Sequence, residues 1–323
     1  MTNDTVKSIR RKLDPFLEMI QPNKLYRTDG LNPDDVLTLK LKELSPGLYS
    51  QIESVSDLTE SLYDALCENK NSIYYWFDYL HAAIKRYDGN FKTPNTSIWR
   101  MPIEVAQFTR IEYSETNETS RKRFNKLVFD KFELEMGKTY FIKTGTFSDK
   151  FTFVNCKCSE PDEMGEYFQV INNMAMLLGA GRTVDLCVRE YIEDAEGNPT
   201  IYKGMPLRTE FRCFYDFDKD EMIGVVPYWN PIVMKRALKG SMASMDDYAV
   251  YLKHEDKLNK DFNDNLSLVK KEIKSICKNF KSEFKDSWSI DVMKNGDDFY
   301  VIDMALMSES ALTEMLPENI KNL

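Results

Sequence analysis

The sequence predicts an α+β fold in which largely antiparallel sheets are divided between two lobes that follow a helical N-terminal region. Apolar residues alternate with polar ones along Leu207–Phe217 and along both arms of Trp288–Met304, which indicates β-strands. Between these segments, apolar residues recur every three or four positions over Leu252–Phe284, which indicates an amphipathic helix. A chain of 323 residues can bury a sizeable core and is long enough for two or three lobes.

Composition and charge narrow the class of protein. Apolar residues make up 42% of the chain and aromatic residues 12%, which are values typical of a globular protein. The formal net charge of −9 argues against broad, sequence-independent binding to nucleic acid, because such binding requires neutralisation of phosphates. The N-terminus lacks the apolar core of a signal peptide, and no apolar run approaches membrane-spanning length. We therefore expect a cytoplasmic protein that does not enter a membrane.

Cysteine and histidine are poor candidates for the chemistry of this chain. The six cysteines stand mostly singly in apolar segments, as expected of reduced thiols packed as small hydrophobes. Cys156 and Cys158 form a close pair, but no second pair completes a zinc site. His81 lies in an aromatic, helix-like stretch and is expected to be packed, whereas His254 lies in a polar run and is expected to be exposed. Any chemistry would therefore rest on carboxylates, lysines and arginines.

The first elements are predicted from spacing and from breaks in the pattern. Residues 1–94 are expected to be mainly helical, since the aromatic run Ile73–Tyr87 has helical spacing. Two extended segments are expected next, at Ile98–Ile103 and at Val105–Tyr113. A helix is then expected over Arg121–Phe132, before the chain reaches a glycine.

A lysine ends the next predicted strand. Tyr140–Ile142 is apolar, Lys143 follows, and a small polar loop at Thr144–Asp149 leads to a second expected strand at Phe151–Val154. Such a hairpin can fold over phosphates, because Gly145 permits close approach of the backbone, and hydroxyls and amides can donate hydrogen bonds. An ordinary exposed hairpin is the alternative. The loop is not a P-loop, because GxxxxGK[ST] is absent from the sequence.

The strands of the C-terminal half combine an apolar face with a charged one. A helix over Pro161–Gly179 and a strand over Val184–Ile192 precede the strand in Leu207–Phe217. One face of that last strand carries Phe211, Cys213, Tyr215 and Phe217, and the other carries Arg208, Glu210, Arg212, Phe214 and Asp216. An edge strand with one solvated face would have the same pattern. Because neighbouring strands also carry single charges, the sequence favours a sheet face that lines a polar cleft.

The last predicted hairpin brings two carboxylates together. The apolar residues of both arms fall on even positions, so even positions should pair with even ones. This pairing requires a loop of odd length and places Asp291 and Asp303 together on the opposite face. Two carboxylates on one face repel each other unless a cation or an arginine lies between them. Magnesium with nucleotide phosphates satisfies this need, and two solvated aspartates are the alternative.

Short motifs in this order resemble the ATP-grasp superfamily. The EFRCF of Glu210–Phe214 followed by Ile223-Gly224, the Asp291-Val292 pair and the Ile302-Asp303 pair carry the resemblance. Within the superfamily, the chain most resembles the branch of the cell-division-cycle protein that assembles eukaryotic translation initiation factor two. The resemblance covers roughly residues 95–312.

The resemblance implies a fold and a function. The fold would have two α+β lobes, a small one at 95–190 and a large one at 191–323, enclosing a nucleotide cleft after a helical region at 1–94. The function would be that of an ATP- and magnesium-binding, ATP-dependent carboxylate–amine ligase, which acts on a peptide or protein substrate through an acyl phosphate. The alternative is an ATP-binding assembly chaperone that grips a protein partner without a covalent product. A scaffold with an inactive nucleotide site is a third hypothesis.

Carried over residue by residue, the resemblance also implies a site. Lys143 would contact the ATP phosphates, together with Ser148 and Lys150 of the covering loop. Arg189 would face the nucleotide. The backbone of the hinge, which consists of Glu190, Tyr191 and Ile192, would read the adenine edge. Glu193 or Asp194 would reach the ribose. Arg212, with Arg208 as a second candidate, would neutralise phosphate or the acyl phosphate, and Asp291 and Asp303 would hold magnesium. The chain departs from the family at Ala305, which cannot ligate a metal where the family has asparagine.

Overall fold

The computed structural model describes residues 58–87, 89–111, 113–240 and 245–316, so residues 1–57 of the predicted helical region lie outside the description. The helices are α1 (Glu60–Cys67), α2 (Ile73–Lys85), α3 (Ile103–Thr109), α4 (Glu118–Phe132), α5 (Met164–Leu177), α6 (Pro231–Gly240) and α7 (Met245–Lys278). The strands are β1 (Phe91–Lys92), β2 (Thr96–Arg100), β3 (Tyr140–Thr144), β4 (Lys157–Cys158), β5 (Asp185–Glu190), β6 (Thr200–Ile201), β7 (Met205–Pro206), β8 (Glu210–Asp216), β9 (Glu221–Pro227), β10 (Ser287–Asn295) and β11 (Asp298–Leu306). The predicted α+β class is confirmed.

The described chain forms two compact units, of which unit 1 comprises residues 58–69 and 97–191 and unit 2 comprises residues 70–96 and 192–316. Unit 1 contains a four-stranded sheet in the order β2-β5-β3-β4. Helix α5 packs against β3, and Ile142 of β3 and Phe168 of α5 are fully buried. Helices α4 and α5 are joined through Asn125, whose Oδ1 accepts from the Glu166 amide at 2.9 Å. One face of the sheet is therefore covered by helices of the same unit.

Helix α3 corrects the prediction of an extended segment at Val105–Tyr113. Residues Ile103–Thr109 are helical, and Val105, Ala106 and Phe108 on this helix are buried. Asn172 of α5 donates to the Thr109 carbonyl at 2.9 Å, so the end of α3 is fixed by tertiary contacts. The β-branched and aromatic composition suggested a strand, but packing against α5 overrides this weak local preference.

The predicted second strand at Phe151–Val154 is also wrong. Lys150–Asn155 forms 3₁₀ turns, and the strand after the loop that pairs antiparallel with β3 is β4. Phe153 alone turns inward within the segment and packs on Phe141 at a ring distance of 6.3 Å. Phe151 and Val154 remain 57% and 51% exposed, so the burial does not follow the two-residue period of a strand.

Unit 2 contains a five-stranded sheet in the order β1-β11-β10-β8-β9. Its strands pair antiparallel except for β1, which runs parallel to β11. The predicted buried face of β8 is confirmed, since Phe211, Cys213 and Tyr215 are fully buried. Helix α7 covers this face, and Phe262 of α7 stacks on Phe211 at 5.1 Å. The face that carries Arg212 is the opposite one.

The β10–β11 hairpin obtains its register from a bulge. Near its base, Ile290 pairs with Met304 and Asp291 with Asp303, as predicted. Beyond Asp291 the register shifts, and the tip closes with Asn295 opposite Asp298. The predicted odd-length loop is wrong, because two residues form the turn and an extra residue in β11, Ile302, changes the pairing instead. Val301 therefore shares the buried face with Val292.

Both histidines are partly buried. His81 stacks on Phe77 at 5.5 Å, as the sequence predicted, and its Nδ1 lies 2.6 Å from the Thr93 hydroxyl. His254 corrects the expectation of an exposed residue, because its Nε2 is buried without a hydrogen-bond partner among the described residues. No helix in the described ranges has the length and apolarity needed to cross a bilayer.

The burial of the histidines predicts a loss of stability in mild acid. Burial, with Lys85 beside His81 and Lys257 beside His254, lowers the pKa of each imidazole. Below about pH 6.5 the unfolded chain takes up protons that the folded protein resists, so the free energy of unfolding should fall as the pH decreases. Urea unfolding at about pH 7.5 and about pH 5.8 measures this change, because carboxylates titrate mainly below that window. His254→Gln should reduce the difference between the two values, and an unchanged difference would contradict the assignment.

Candidate functional site

In unit 1, two buried cations share one face of the sheet. Lys143 on β3 pairs with Cys187 on β5, and Phe141 pairs with Arg189. Alternate residues of a strand share a face, so Lys143 and Arg189 are diagonal neighbours on the same face. The two side chains are only 2% and 5% exposed. This is the face opposite Ile142, as the predicted roles of Lys143 and Arg189 require.

The guanidinium of Arg189 lacks the partners that a buried charge needs. Its Nε and Nη2 are buried and form no hydrogen bond in the part of the chain that the structure describes. Burying a charged donor without an acceptor is costly, and native structures rarely leave such groups unsatisfied. Arginine presents its donors in a planar fork suited to phosphate and carboxylate. The chemistry of this position therefore fits an anionic ligand.

Lys157 adds a third cation that the sequence reasoning missed. It lies on β4 opposite Phe141, so Lys157, Phe141 and Arg189 form one row across three strands. Its Nζ lies 4.1 Å from the centre of the Tyr191 ring, and it has no ion pair among the described residues. The signal was the alternation of Lys157 with Cys156 and Cys158, which are both fully buried. Burial raises the pKa of these thiols to about 12 and about 11, so both are protonated at neutral pH.

The covering loop is held by its own hydrogen bonds. Thr144 Oγ1 accepts from the amides of Thr146 and Phe147 at 3.3 and 2.9 Å. The Gly145 amide donates to the Asp185 carbonyl at 2.9 Å, so it is not available to a phosphate as expected from the sequence. Ser148 and Lys150 follow this closed turn and are half-buried. Their predicted contacts with phosphates stay predictions.

The hinge segment is fixed at both ends by backbone hydrogen bonds. Glu190 is the exposed last residue of β5, and the Tyr191 amide donates to the Thr139 carbonyl at 3.1 Å. In unit 2, the Ile192 carbonyl accepts from Arg208 Nη2 at 2.7 Å. Neither bond involves the amide of Ile192, which is one of the main-chain groups of the hinge expected to read the adenine edge.

Arg208 and Asp194 contact each other. Arg208 Nε donates to Asp194 Oδ1 at 3.1 Å, and the Asn198 amide donates to Asp194 Oδ2 at 2.7 Å. Burial would raise the pKa of Asp194, but these hydrogen bonds and the Arg208 charge outweigh it and lower the pKa. Arg208 thus stabilises the segment after the hinge through its bonds to Asp194 and to the Ile192 carbonyl. Its Nη1 donates to Met293 Sδ at 3.4 Å, and neither Arg212 nor Asp291 is among its hydrogen-bond partners in the described ranges.

In unit 2, three charged residues form a row across the sheet. Arg212 on β8 pairs with Asp291 on β10, which pairs with Asp303 on β11. Arg212 Nε and Nη2 donate to the two oxygens of Asp291 at 2.8 and 2.7 Å, and the Tyr228 ring lies 4.7 Å from the guanidinium. Burial would lower the pKa of Arg212, but the charge and hydrogen bonds of Asp291 outweigh it and raise the pKa. The sequence analysis required a cation or an arginine beside the two aspartates. Arg212 is such an arginine, and it neutralises Asp291.

The surroundings of Asp303 limit the metal chemistry. Asp303 is half-buried, and its Oδ1 accepts from the Met304 amide at 3.2 Å. Ala305 lies opposite Ser289, whose hydroxyl is 2.7 Å from that of Ser310. Within the described ranges, no three acidic, histidine or cysteine side chains are grouped so that they could hold a metal. Asp291 and Asp303 can supply only the one or two carboxylates that magnesium uses with phosphate ligands.

The segment after β11 covers the Arg212 face. The Ala311 carbonyl accepts from Arg212 Nη1 at 3.1 Å, so all three guanidinium nitrogens donate to the protein. Leu312 and Leu316 pack with Phe214 and Val226 into a buried cluster on the same face. The sequence did not predict that the segment after β11 covers the face of Arg212, because the segment has no regular hydrophobic period.

Comparisons with known proteins give solved structures only, since no protein-family model and no curated protein matches the chain. C-terminally truncated Cdc123 from Schizosaccharomyces pombe is 13% identical, with coverage of 80% of this chain and 90% of that chain and a TM-score of 0.46. D-alanine–D-alanine ligase from Bacillus anthracis, complexed with ATP, is 12% identical, with coverage of 93% and 81% and a TM-score of 0.32. The RimK domain protein ATP-grasp from Sphaerobacter thermophilus is 10% identical, with coverage of 94% and 88% and a TM-score of 0.33.

Proposed function

We propose that this chain binds ATP with magnesium and uses it as an ATP-dependent carboxylate–amine ligase. The observation that carries the proposal is the buried guanidinium of Arg189, which has two unsatisfied nitrogens on the same sheet face as Lys143. A buried cation without an acceptor fits a ligand that brings negative charge. A nucleoside triphosphate supplies several such charges.

In unit 1, each proposed contact follows from the placement of the side chain. Arg189 and Lys143 would bind phosphate oxygens, and Ser148 and Lys150 would approach them from the end of the loop. The backbone of Glu190–Ile192 would bind the adenine edge. Phosphoryl transfer depends on positioning and on neutralising charge, which is what lysine and arginine provide here.

In unit 2, the proposed magnesium ligands are Asp291 and Asp303. They are direct neighbours across β10 and β11, and carboxylates are the protein ligands that magnesium prefers beside phosphates. Bound magnesium would neutralise the charge on the phosphates. Asp194 is proposed to reach the ribose with an oxygen that its bonds to Arg208 and Asn198 orient, and Arg208 supports this position.

The proposed reaction has two steps. An oxygen of the substrate carboxylate attacks the γ-phosphorus of ATP, the bond from that phosphorus to the bridging oxygen breaks, and ADP leaves. The amine nitrogen of the second substrate then attacks the acyl carbon, loses a proton to solvent, and inorganic phosphate leaves with the electrons of the carbon–oxygen bond. Arg212 would bind the acyl phosphate with the N–H groups of Nη1 and Nη2 that Asp291 and the Ala311 carbonyl leave unused. A peptide or protein is the proposed substrate.

Two observations favour a second candidate function, an ATP-binding assembly chaperone without a covalent product. Arg212 already donates to Asp291 and Ala311, and Ala305 removes one oxygen ligand expected from the family pattern. Both features weaken the groups that a chemical step needs and leave the ATP-binding groups of unit 1 unchanged. The two functions differ in whether ADP is formed.

A screen of carboxylate and amine pairs with Mg-ATP tests the ligase. The wild type should release ADP with a suitable pair, and Asp303→Asn should reduce the rate at least about a hundredfold, the scale of lost transition-state charge stabilisation. Asp298→Asn is the matched control, because Asp298 lies on the same strand but pairs with Lys92 at the surface. ATP binding without ADP release from any pair, together with nucleotide-dependent capture of a protein partner, would replace the ligase by the second candidate.

A further inference from the structure

Lys157 lies in the same row of the sheet as Arg189, whose buried guanidinium has two nitrogens without a partner among the described residues. It lies one strand from Phe141 and two strands from Arg189, on the face that also carries Lys143. No carboxylate forms an ion pair with Lys157 or Arg189 within the described residues, so these two cations bring positive charge that no described carboxylate neutralises. Like charges in one row of a sheet raise the free energy of the protein unless an anion binds to them.

The rows of the sheet order these cations along the strands. Lys157 and Arg189 belong to the row of Phe141, and Lys143 belongs to the row two residues nearer to the covering loop. Two residues of a strand span about 6.6 Å. Tyr191, on which Lys157 lies, belongs to the hinge at the opposite end from the loop. A nucleotide with its base at the hinge and its phosphates toward the loop would therefore meet the row of Lys157 first.

We propose that Lys157 is a nucleotide-binding residue that contacts the phosphate nearest to the ribose, opposite Arg189, while Lys143 contacts the more distant phosphates. The proposal rests on the proposed ATP binding and adds a binding residue to it. A lysine binds phosphate as a mobile point charge, and the Tyr191 ring below its ammonium restricts that mobility. The fully buried Cys156 and Cys158 on either side fix the direction of its side chain.

Binding of ATP and ADP to Lys157→Met tests the proposal, with isothermal titration calorimetry as the measurement. Both nucleotides carry the phosphate nearest to the ribose, so both should bind about tenfold more weakly or worse, and by the same factor. Lys157→Arg should restore most of the affinity, because it restores the charge and can stack on Tyr191. Lys143→Met should weaken ATP more than ADP.

The control is Lys131→Met, which removes another lysine over an aromatic ring in unit 1, 5.9 Å from the centre of Trp99. It should leave both affinities within about twofold of the wild type. Thermal unfolding without nucleotide shows whether each variant is folded. If the wild type binds neither nucleotide, the proposed function itself fails. If the wild type binds and Lys157→Met binds equally well, or loses affinity for ATP alone, the assignment of Lys157 is overturned.

Discussion

Replacing Arg189 with methionine is expected to abolish stabilisation by Mg-ATP and to make the nucleotide-free protein more stable. The wild type should gain about 2.7 kcal/mol at an ATP concentration a hundred times the dissociation constant, and the variant should gain almost nothing. Without nucleotide, the variant no longer buries two unsatisfied donors, which cost on the order of 1–3 kcal/mol. Methionine retains much of the apolar length of the side chain. Thermal and urea unfolding with and without Mg-ATP measure both effects.

Arg100 supplies the matched comparison in the same sheet. Its Nε and Nη2 donate to the fully buried Asp185 at 2.9 and 3.2 Å, so this arginine has the partner that Arg189 lacks. Arg100→Met should therefore destabilise the free protein by about 3–5 kcal/mol, because a buried carboxylate loses its counterion. A more stable Arg189→Met protein together with a less stable Arg100→Met protein, both without nucleotide, would support a ligand role for Arg189. A loss of stability in Arg189→Met, with the ATP shift retained, would contradict it.

Replacing Asp291 with alanine is expected to cost about 3–5 kcal/mol of unfolding free energy, because it leaves Arg212 buried without its counterion. The two side chains are only 8% and 12% exposed, so solvent screens the pair weakly. The double variant Arg212→Met, Asp291→Ala should recover most of the loss, since both charges are then removed. Urea unfolding of the four proteins in a double-mutant cycle gives the coupling energy of the pair.

Asp298→Ala is the control for this cycle. Its ion pair with Lys92 on β1 joins side chains that are 37% and 50% exposed, so its loss should cost less than about 1 kcal/mol. A double variant as unstable as Asp291→Ala alone would show that the carboxylate contributes through something other than Arg212. Coordination of magnesium is then the first explanation to test, by repeating the cycle with the metal added.

The sheet of unit 2 was largely predictable because its signals are local. The alternation in Leu207–Phe217 identifies the buried face of β8, and the even positions of the last hairpin place Asp291 beside Asp303. Helix α3 and the 3₁₀ turns of Lys150–Asn155 were not predicted. Their conformations depend on packing against distant residues, such as Asn172 on Thr109 and Phe153 on Phe141, which a local pattern does not contain.

The candidate site also contains residues that the sequence predicts and residues that it does not. The end of an apolar strand and the family motif suffice to select Lys143 and Arg189, and the structure places both on one face. Which arginine meets which aspartate depends on β8 lying next to β10, a pairing between segments about eighty residues apart that the sequence does not encode locally. Lys157 was missed because its alternation with Cys156 and Cys158 spans only three residues, too few to identify a strand.

The bulge in β11 determines how the pairing of β10 with β11 responds to the loss or gain of a residue. Ile302 is the extra residue, and the pairs on either side of it are Asp291 with Asp303 and Val292 with Val301. If Ile302 were absent, both pairs would still form, now in an unbroken ladder. Deletion of this one residue is therefore neutral for strand pairing, whereas a single insertion or deletion between Asp298 and Val301 would move Asp303 to the other face. What Ile302 contributes is the added bend and twist of the strand directly beside Asp303.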